Sequence, residues 1–467
     1  MARSRTSSAL ELLVPLRRDE AQPLHRQLEQ ELREAVRSGR LPPLTVLPST
    51  RALAGQLGVA RGVVVEAYEQ LVAEGYLASR AGGATRVAQG AAQPSARPSA
   101  LVPTAQFEVD FRPSRPDVTH FPRAVWLRSL RRVLNEAPSE RLGYIEGEGM
   151  PELREALASY LNRARGTAAD ADRTVITTGF AQAFRLVAGV LAASGARRLA
   201  MEDPSYDDAR KTALEAGLKV VGIPVDESGL RVDLLDAAKV DAVIVTSAHQ
   251  FPTGAVMPPD RRAALVAWAS KRGGIVIEDD YDAEFRYDRE PIGAIQGLSP
   301  DRVVYAGSAS KVLAPGLRLG WLVAPASMVH AIAERKMAAD LGSSALDQLA
   351  FADFLARGEL DHHLRRMRPI YRRRRDTLLA ALGRHLPELR PVGASAGLHL
   401  LAWLPPELEE AAVVRAASHA RIGIHGLAPS RIHPSGPGAI IFGYGQIEEA
   451  AIDDGVRRLR IAIDGAR

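Results

Sequence analysis

Apolar residues recur three and four apart at Leu24, Leu28, Leu32, Ala35 and Val36, the spacing that lines one face of a helix, and Gly39 ends the run. A second, shorter helix is expected to start near Ser49, with Ala52, Leu53 and Leu57 on one face. Gly58-Val59 then turns the chain into a third helix, Arg61 to Ala73, whose Val64, Ala67, Tyr68 and Leu71 point inward. Gly75-Tyr76-Leu77 closes that helix, and Arg80-Ala81-Gly82-Gly83-Ala84-Thr85-Arg86-Val87 reads as a β-hairpin with a glycine tip. Helix, glycine-containing turn, helix and hairpin in that order predict a winged helix-turn-helix over residues 10–88.

Residues 89–106 have no periodicity and mix Ala, Pro and Ser, the composition of a linker. From residue 107 to 467 the pattern changes. Short β-rich runs at Thr174–Thr178, Arg198–Met201, Ala242–Thr246, Ile275–Ile277 and Arg302–Tyr305 alternate with helical stretches, which predicts a mostly parallel sheet in a large part spanning about 150–330. Beyond that, long helices and strands at Leu398–Trp403 and Ala439–Tyr444 predict a smaller α+β part over about 331–467. The expected fold class is therefore multidomain, a helix-rich winged helix followed by an α/β domain with a small α+β appendage.

At 467 residues, with 46% hydrophobic and 25% charged side chains, the chain can build several cores and has a soluble composition. It contains no cysteine, which excludes disulfides, thiolate metal sites and thiol redox chemistry and fits a reducing cytoplasm. The apolar stretch Ala9 to Leu16 is short and broken by Glu11, so it is not read as a signal peptide, and no segment reaches membrane-spanning length. The net charge of +5 permits nucleic-acid binding without arguing for it. No metal site is read from the sequence.

Candidate chemistry gathers in the loops after the predicted strands. Val303-Val304-Tyr305-Ala306-Gly307-Ser308-Ala309-Ser310-Lys311 is a strand running into a Ser/Gly loop that ends in lysine, which places Lys311 where α/β folds build their sites and suits it as a Schiff-base nucleophile. Glu278-Asp279-Asp280-Tyr281-Asp282 ends the apolar run Ile275-Val276-Ile277; acids there would be penalised by desolvation unless a cation is near. Gly179 and Phe180 open a helix whose N-terminus can hold a phosphate, and Ser308 and Arg318 flank Lys311, where they can bind an anion in concert with Gly179. Tyr206, on the turn Glu202-Asp203-Pro204-Ser205-Tyr206, can stack on a flat ring. Each feature alone has a bland reading as a helix start, a core tyrosine or a surface arginine. Together they suit pyridoxal 5′-phosphate, with lysine for its aldehyde, a carboxylate for its ring nitrogen, a tyrosine for its ring hydroxyl and a cup for its phosphate.

The segments Pro48-Ser49-Thr50-Arg51-Ala52-Leu53-Ala54, Val65-Glu66-Ala67-Tyr68-Glu69-Gln70-Leu71, His249-Gln250-Phe251-Pro252-Thr253-Gly254, Glu278-Asp279-Asp280-Tyr281-Asp282-Ala283-Glu284-Phe285 and Ser308-Ala309-Ser310-Lys311 carry a resemblance that covers nearly the whole chain. Residues 10–88 resemble a GntR-type winged helix, residues 107–467 a fold-type I aminotransferase, and the two joined by a linker resemble the MocR/GabR regulators. The resemblance implies that Lys311 binds pyridoxal phosphate covalently, that Asp279 pairs with the ring nitrogen, and that Tyr281 meets the ring hydroxyl. It further implies Tyr206 over the ring, and Gly179, Phe180, Ser308, Ser310 and Arg318 around the phosphate. Tyr144, in Gly143-Tyr144-Ile145-Glu146-Gly147, resembles the tyrosine that such dimers lend to the neighbouring subunit's phosphate, so a homodimer is implied.

The chain departs from these relatives in informative places. Phe251 stands where aminotransferases carry an asparagine to the ring hydroxyl, and the strand Ala439–Tyr444 has no arginine for a substrate carboxylate. Arg421 and Arg431 lie nearby in sequence as possible substitutes. At the third helix, Ala60-Arg61-Gly62-Val63 replaces the Ser-Arg-Asn-Thr common among relatives; Ala cannot cap the helix or donate to a phosphate. Arg51 and Arg61 remain as DNA contacts, with Gly82 and Gly83 letting the wing approach the minor groove. Residues 1–90 hold 12 Arg against 9 Asp and Glu, a net +3, so binding to double-stranded operator DNA should depend on dimer geometry more than on bulk charge. The expected function is a pyridoxal-phosphate-dependent transcriptional regulator whose effector is the cofactor itself or a small amine. The alternatives are a working class I/II aminotransferase with an accessory helix-turn-helix, and a repressor with an inert second domain.

Overall fold

A computed structural model describes residues 15–79, 83–90, 107–287 and 292–465, and the chain divides into two units, Met1–Ala105 and Gln106–Arg467. Most of the expected linker, and Gly82 at the wing tip, lie outside the described residues.

In the first unit, α1 (Leu24–Arg37), α2 (Thr50–Leu57) and α3 (Arg61–Ala73) are followed by β1 (Leu77–Ala78) and β2 (Arg86–Val87). The apolar faces read from the spacing meet in one core: Leu28, Leu32, Ala35 and Val36 pack with Leu53, Val64, Ala67, Tyr68 and Leu71. Ser49 caps α2 by accepting from the Ala52 amide at 3.2 Å, and Gly58 ends it at φ 63°, a left-handed turn that an L side chain adopts only with strain. Ala60 gives α3 no side-chain cap. The wing starts earlier than the Arg80 expected. Leu77 pairs with Val87 across the antiparallel ladder, and both are buried, so the hydrophobic core sets the register.

The second unit is built on an eight-stranded sheet in the order Thr174–Thr177, Gly320–Val323, Val303–Ser308, Ile275–Asp279, Ala242–Val245, Arg198–Asp203, Lys219–Asp226 and Gly229–Leu230. The run from Val303–Ser308 to Lys219–Asp226 is parallel, while Gly320–Val323 is antiparallel to both its neighbours. The parallel strands Arg198–Asp203, Ala242–Val245, Ile275–Asp279 and Val303–Ser308 are buried except at some of their ends, as parallel strands covered on both faces must be. The alternation therefore brings Thr178-Gly179, Pro204–Tyr206, the His249 loop, Asp280–Asp282, Lys311 and Arg318 to one edge of the sheet. Ligand sites of open α/β sheets form at that edge.

Three strands of this sheet escaped the sequence reading, one of them the two-residue Gly229–Leu230 at its edge. Lys219–Asp226 is interrupted by Gly222 and Pro224 and is only partly buried, which hides its period. Gly320–Val323 follows Arg318 too closely to stand out as an element of its own. Lys311 lies in a short helical turn, Ala309–Val312, where a Ser/Gly loop was expected; Ala309 and Val312 are buried beneath it and the Ala309 amide bonds to the Leu319 carbonyl at 2.9 Å.

A second, antiparallel sheet runs Arg390–Val392, His399–Trp403, Ala439–Gly443 and His425–Gly426. The helices Glu359–His385, Glu410–His419 and Glu449–Asp464 accompany it. Val109–Asp110 pairs with Ile422–Gly423, so the start of the second unit is tied to its C-terminal part. No described helix is long and apolar enough to cross a membrane.

Gly62 lies in the first turn of α3, and a β-carbon added there would meet nothing within 4 Å. Gly62→Ala should stabilise the first unit by up to about 1 kcal/mol, because alanine loses less backbone entropy in a helix. A higher urea midpoint for the first unit is expected; an unchanged or lower midpoint would contradict it.

Candidate functional site

The acidic stretch after Ile275–Ile277 finds a separate partner for nearly every carboxylate. Glu278 accepts from Ser247 Oγ at 2.6 Å and from the Ile295 and Gln296 amides at 2.9 and 3.1 Å. Asp280 is held by the Arg165 guanidinium through two bonds, 2.7 and 3.2 Å, and by Tyr305 Oη at 2.7 Å, with both charged side chains only 2% exposed. Asp282 faces the His249 imidazole at 3.1 Å. Asp279 differs. Its carboxylate accepts no hydrogen bond from the described residues; burial, then Asp280 and Asp282, push its pKa well above the usual range, and Lys311 works against them.

Lys311 donates its Nζ to the Ser114 carbonyl at 2.8 Å, and burial lowers its pKa against the opposing pull of Asp282 and Asp279. Burial thus favours the uncharged amine that a lysine nucleophile needs. At the start of the helix Phe180–Ala193, Gly179 takes φ 120°, and a β-carbon on it would sit 3.4 Å from the Arg318 guanidinium. A β-carbon on Gly320 would lie 2.6 Å from Gly179 Cα, so two glycines allow this close approach. Arg318 adopts a left-handed conformation, φ 50°; its amide donates to the Pro315 carbonyl, while its guanidinium makes no hydrogen bond or ion pair with the described residues. An exposed guanidinium beside a helix N-terminus is an anion-binding arrangement. Ser308 precedes the turn that carries half-buried Ser310 and gives it no side-chain cap.

Phe180, Glu202, Tyr206, Phe251 and Asp279 line one cleft, floored by Met201, Ile244 and Val245. Tyr206 donates to Asp208 at 2.9 Å, and burial with that hydrogen bond pushes its pKa up to about 12. Tyr281 reaches His249 Nδ1 at 3.1 Å, and its ring lies edge-on to Phe251 at 6.2 Å.

Other expected residues are placed differently. Tyr144 is 91% exposed and does not line the cleft of its own chain. Arg421 is not brought to the cleft: Ile422 is engaged with Val109, and the Arg421 guanidinium pairs with Glu108 at 3.2 Å. Arg431 follows Ser430, whose carbonyl accepts the Ser205 amide beside the cleft, but its guanidinium bonds the Ser435 and Pro437 carbonyls of its own loop. On the first unit, Arg51 and Arg61 are exposed on α2 and α3, Arg61 Nε lies 3.4 Å from Thr50 Oγ1, and Gly83 is exposed before β2.

Sequence reasoning assigned no role to Glu202, His249 or His399, all of them buried at the cleft or next to it. Polar residues directly after apolar strands were the available signal, as in Thr246-Ser247-Ala248-His249-Gln250. His249, Asp282 and His399 bring donor atoms within 4.8 Å of one another. Both His249 nitrogens face acceptors, Asp282 and the Gly393 carbonyl, so that ring has no lone pair left for a metal ion.

Comparison with known proteins fits this geometry. Residues 24–87 match bacterial regulatory proteins of the gntR family, and residues 116–428 match aminotransferase class I and II. The chain is 32% identical over 474 residues to the probable rhizopine catabolism regulatory protein MocR of Rhizobium meliloti, covering 96% of each protein. It belongs to the MocR-type regulators. Another relative is the HTH-type pyridoxine biosynthesis transcriptional regulator PdxR of Corynebacterium glutamicum, 31% identical over 94% of this chain and 96% of the relative. Among solved structures, a multiple substrate aminotransferase from Thermococcus profundus aligns with TM-score 0.72 at 25% identity, over 78% of this chain and 93% of that one. An α-aminoadipate aminotransferase from Thermus thermophilus, complexed with N-(5′-phosphopyridoxyl)-L-leucine, aligns with TM-score 0.70 at 27% identity, over 77% and 92%.

The cofactor of this MocR-type chain is pyridoxal 5′-phosphate. The residues present fit it: an amine of depressed basicity, a carboxylate with no donor among the described residues, and a guanidinium at a helix start, all at one sheet edge.

Glu202, beside this cleft, accepts from Thr246 Oγ1 at 2.6 Å and from Gln250, while its other oxygen is buried without a partner among the described residues. Burial raises its pKa from 4.5 to about 7, against those hydrogen bonds. The folded state therefore prefers the neutral acid, so this contribution to stability is complete below pH 4.5 and is lost as pH rises through 7. Glu202→Gln should remove that loss and gain ~3 kcal/mol on wild type between the two ends of the window. Parallel stability profiles for the two proteins would contradict a neutral Glu202.

Proposed function

We propose that the chain is a transcriptional regulator in which occupancy of the pyridoxal phosphate site, by the cofactor or by a small amine joined to it, modulates binding of the winged helix to double-stranded operator DNA. The observation that carries this reading is one chain joining a complete lysine–acid–anion cleft to a winged helix with exposed Arg51 and Arg61. When bound, the cofactor supplies an aldehyde for an amine and a ring that withdraws electrons. In this reading Lys311 holds the cofactor and Asp279 carries the ring nitrogen's counter-charge. Tyr281 meets the ring hydroxyl and Tyr206 covers the ring face. Gly179, Phe180, Ser308, Ser310 and Arg318 receive the phosphate.

The 91% exposure of Tyr144 supports its contribution to a second copy's site, and with it a homodimer. A dimer would set the spacing of two half-sites, at which α3 lays Arg61 on the DNA, α2 adds Arg51, and Gly82 and Gly83 bring the wing close. Arg431 is the remaining candidate for a ligand carboxylate, by a turn of its loop; Arg421 is occupied by Glu108. The protein would act in the cytoplasm, where DNA, cofactor and amines meet.

The loss of asparagine at Phe251 favours regulation over turnover, because the ring hydroxyl then lacks one donor that efficient transamination uses. The test is a gel shift with DNA from upstream of the gene, titrated with protein in the presence and absence of pyridoxal phosphate. Retardation should change with the cofactor, and Lys311→Ala should abolish the change while still binding DNA. Steady transamination without specific retardation would favour an aminotransferase and refute the regulator.

A further inference from the structure

His249 is 1% exposed, and both its ring nitrogens are committed. Nε2 lies 3.2 Å from the Gly393 carbonyl oxygen, which can only accept, so Nε2 carries a hydrogen. Nδ1 lies 3.1 and 3.2 Å from the two Asp282 oxygens and 3.1 Å from Tyr281 Oη. A carboxylate also only accepts, so Nδ1 carries a hydrogen too and His249 is an imidazolium. Tyr281 Oη must then accept from Nδ1–H, and its own hydrogen has to point elsewhere.

The surroundings hold this arrangement. Gly397, at φ 76°, passes so close that a β-carbon on it would collide with both the His249 ring and Asp282. Tyr287 and Tyr444 fix Gly397 by donating to its carbonyl at 2.6 and 2.8 Å. The groups facing His249 are Asp282, Tyr281, His399 with ring centroids 4.9 Å away, and Arg286, whose charge opposes an imidazolium. Burial also opposes the charge, yet the Asp282 carboxylate and the bonds to Asp282 and Gly393 outweigh both and raise the His249 pKa. His399 goes the other way: burial and the neighbouring His249 drive its pKa far down, which leaves one cation in the pair.

We infer that His249 is the positioning residue for the Tyr281 hydroxyl: Nδ1–H is shared between Asp282 and Tyr281 Oη, so that the phenolic hydrogen is left for the ring hydroxyl oxygen of the cofactor. This rests on the reading of Tyr281 as the ring-hydroxyl partner. It supplies a donor on the side of the ring where Phe251 offers none. The Phe251 and Tyr281 rings stand in edge contact, and Phe251 also packs on His399 at 5.2 Å.

The inference is tested first on the cofactor-free full-length protein by nitrogen-15 NMR of labelled histidine. At pH 7.5 one histidine should show both ring nitrogens protonated, and that signal should vanish in His249→Gln; its absence from wild type would overturn the inference. The second readout is the pH midpoint of the visible absorbance of bound pyridoxal phosphate. A donor to the ring oxygen weakens its hold on the proton it shares with the lysine nitrogen, so removing the donor raises the midpoint. Tyr281→Phe should raise it by about one unit, the scale of one hydrogen bond to a charged oxygen. His249→Gln should raise it by a similar amount, because the phenolic hydrogen can then turn to the glutamine carbonyl, and the double variant should move no further than Tyr281→Phe. Asp282→Asn serves the same purpose if His249→Gln does not fold. A midpoint unmoved by His249→Gln and Asp282→Asn, but moved by Tyr281→Phe, would overturn this inference alone; one unmoved by Tyr281→Phe would overturn the reading of Tyr281 as well.

Discussion

Desolvation of four carboxylates within five residues, Glu278 to Asp282, is the constraint on which the rest of the second unit is arranged. Strand geometry sends successive side chains to opposite faces. Glu278 and Asp280 accordingly turn to one side, where Arg165, Tyr305 and the amides after residue 294 satisfy them. A buried pair such as Arg165–Asp280 adds little net stability but is costly to break, so it fixes the strand end more than it strengthens the fold. Asp279 turns to the cleft. Asp279 has Lys311 as a nearby cation and no hydrogen-bond donor among the described residues, which makes it the member of the run that a positively charged ring nitrogen would complete.

Rigidity at this edge bears on regulation. A ligand shifts a two-state protein only as far as its affinities for the two states differ. The Lys311 cleft is framed by parallel strands and paired charges. The rim next to it, from Ser205 to the loop of Ser430 and Arg431, is held by a backbone hydrogen bond of 2.9 Å and by Asp203, which accepts the Ile432 and His433 amides at 2.8 and 2.9 Å. Movement on ligand binding would concentrate there, since exposed loops open at lower cost than buried strands. In the proposed homodimer, the modest net charge of the first unit would leave operator affinity dependent on how two winged helices are spaced, which would make geometry the quantity a ligand alters.

Much of this was legible in the chain. Helix Arg61–Ala73 has the bounds that its apolar spacing indicated; Lys311 and Gly179 were singled out by their places after strands, Arg318 by its nearness to Lys311, and Asp279 within its acidic run through the family resemblance. What stayed hidden depended on partners distant in sequence. Arg165 stands 115 residues before Asp280, and His249 stands 33 before Asp282, so neither pairing has a local signature. Gly320–Val323 was missed because it is short and follows a functional loop, although its insertion beside Val303–Ser308 is what places Arg318 over Gly179. Arg421 misled because its nearness to the C-terminal strand in sequence says nothing of Glu108, which approaches from the far end of the unit.

If the two sites are coupled, the coupling is reciprocal, because both ligands act on one equilibrium. The most direct measurement is calorimetric: the affinity for pyridoxal phosphate, with and without a saturating operator fragment, on the same preparation. The dissociation constant of the cofactor should change on adding DNA by the same factor by which the cofactor changes the dissociation constant of DNA, within roughly the five- to 150-fold span of known couplings. Equal cofactor affinity with and without operator would mean that the two units share a chain but not an equilibrium.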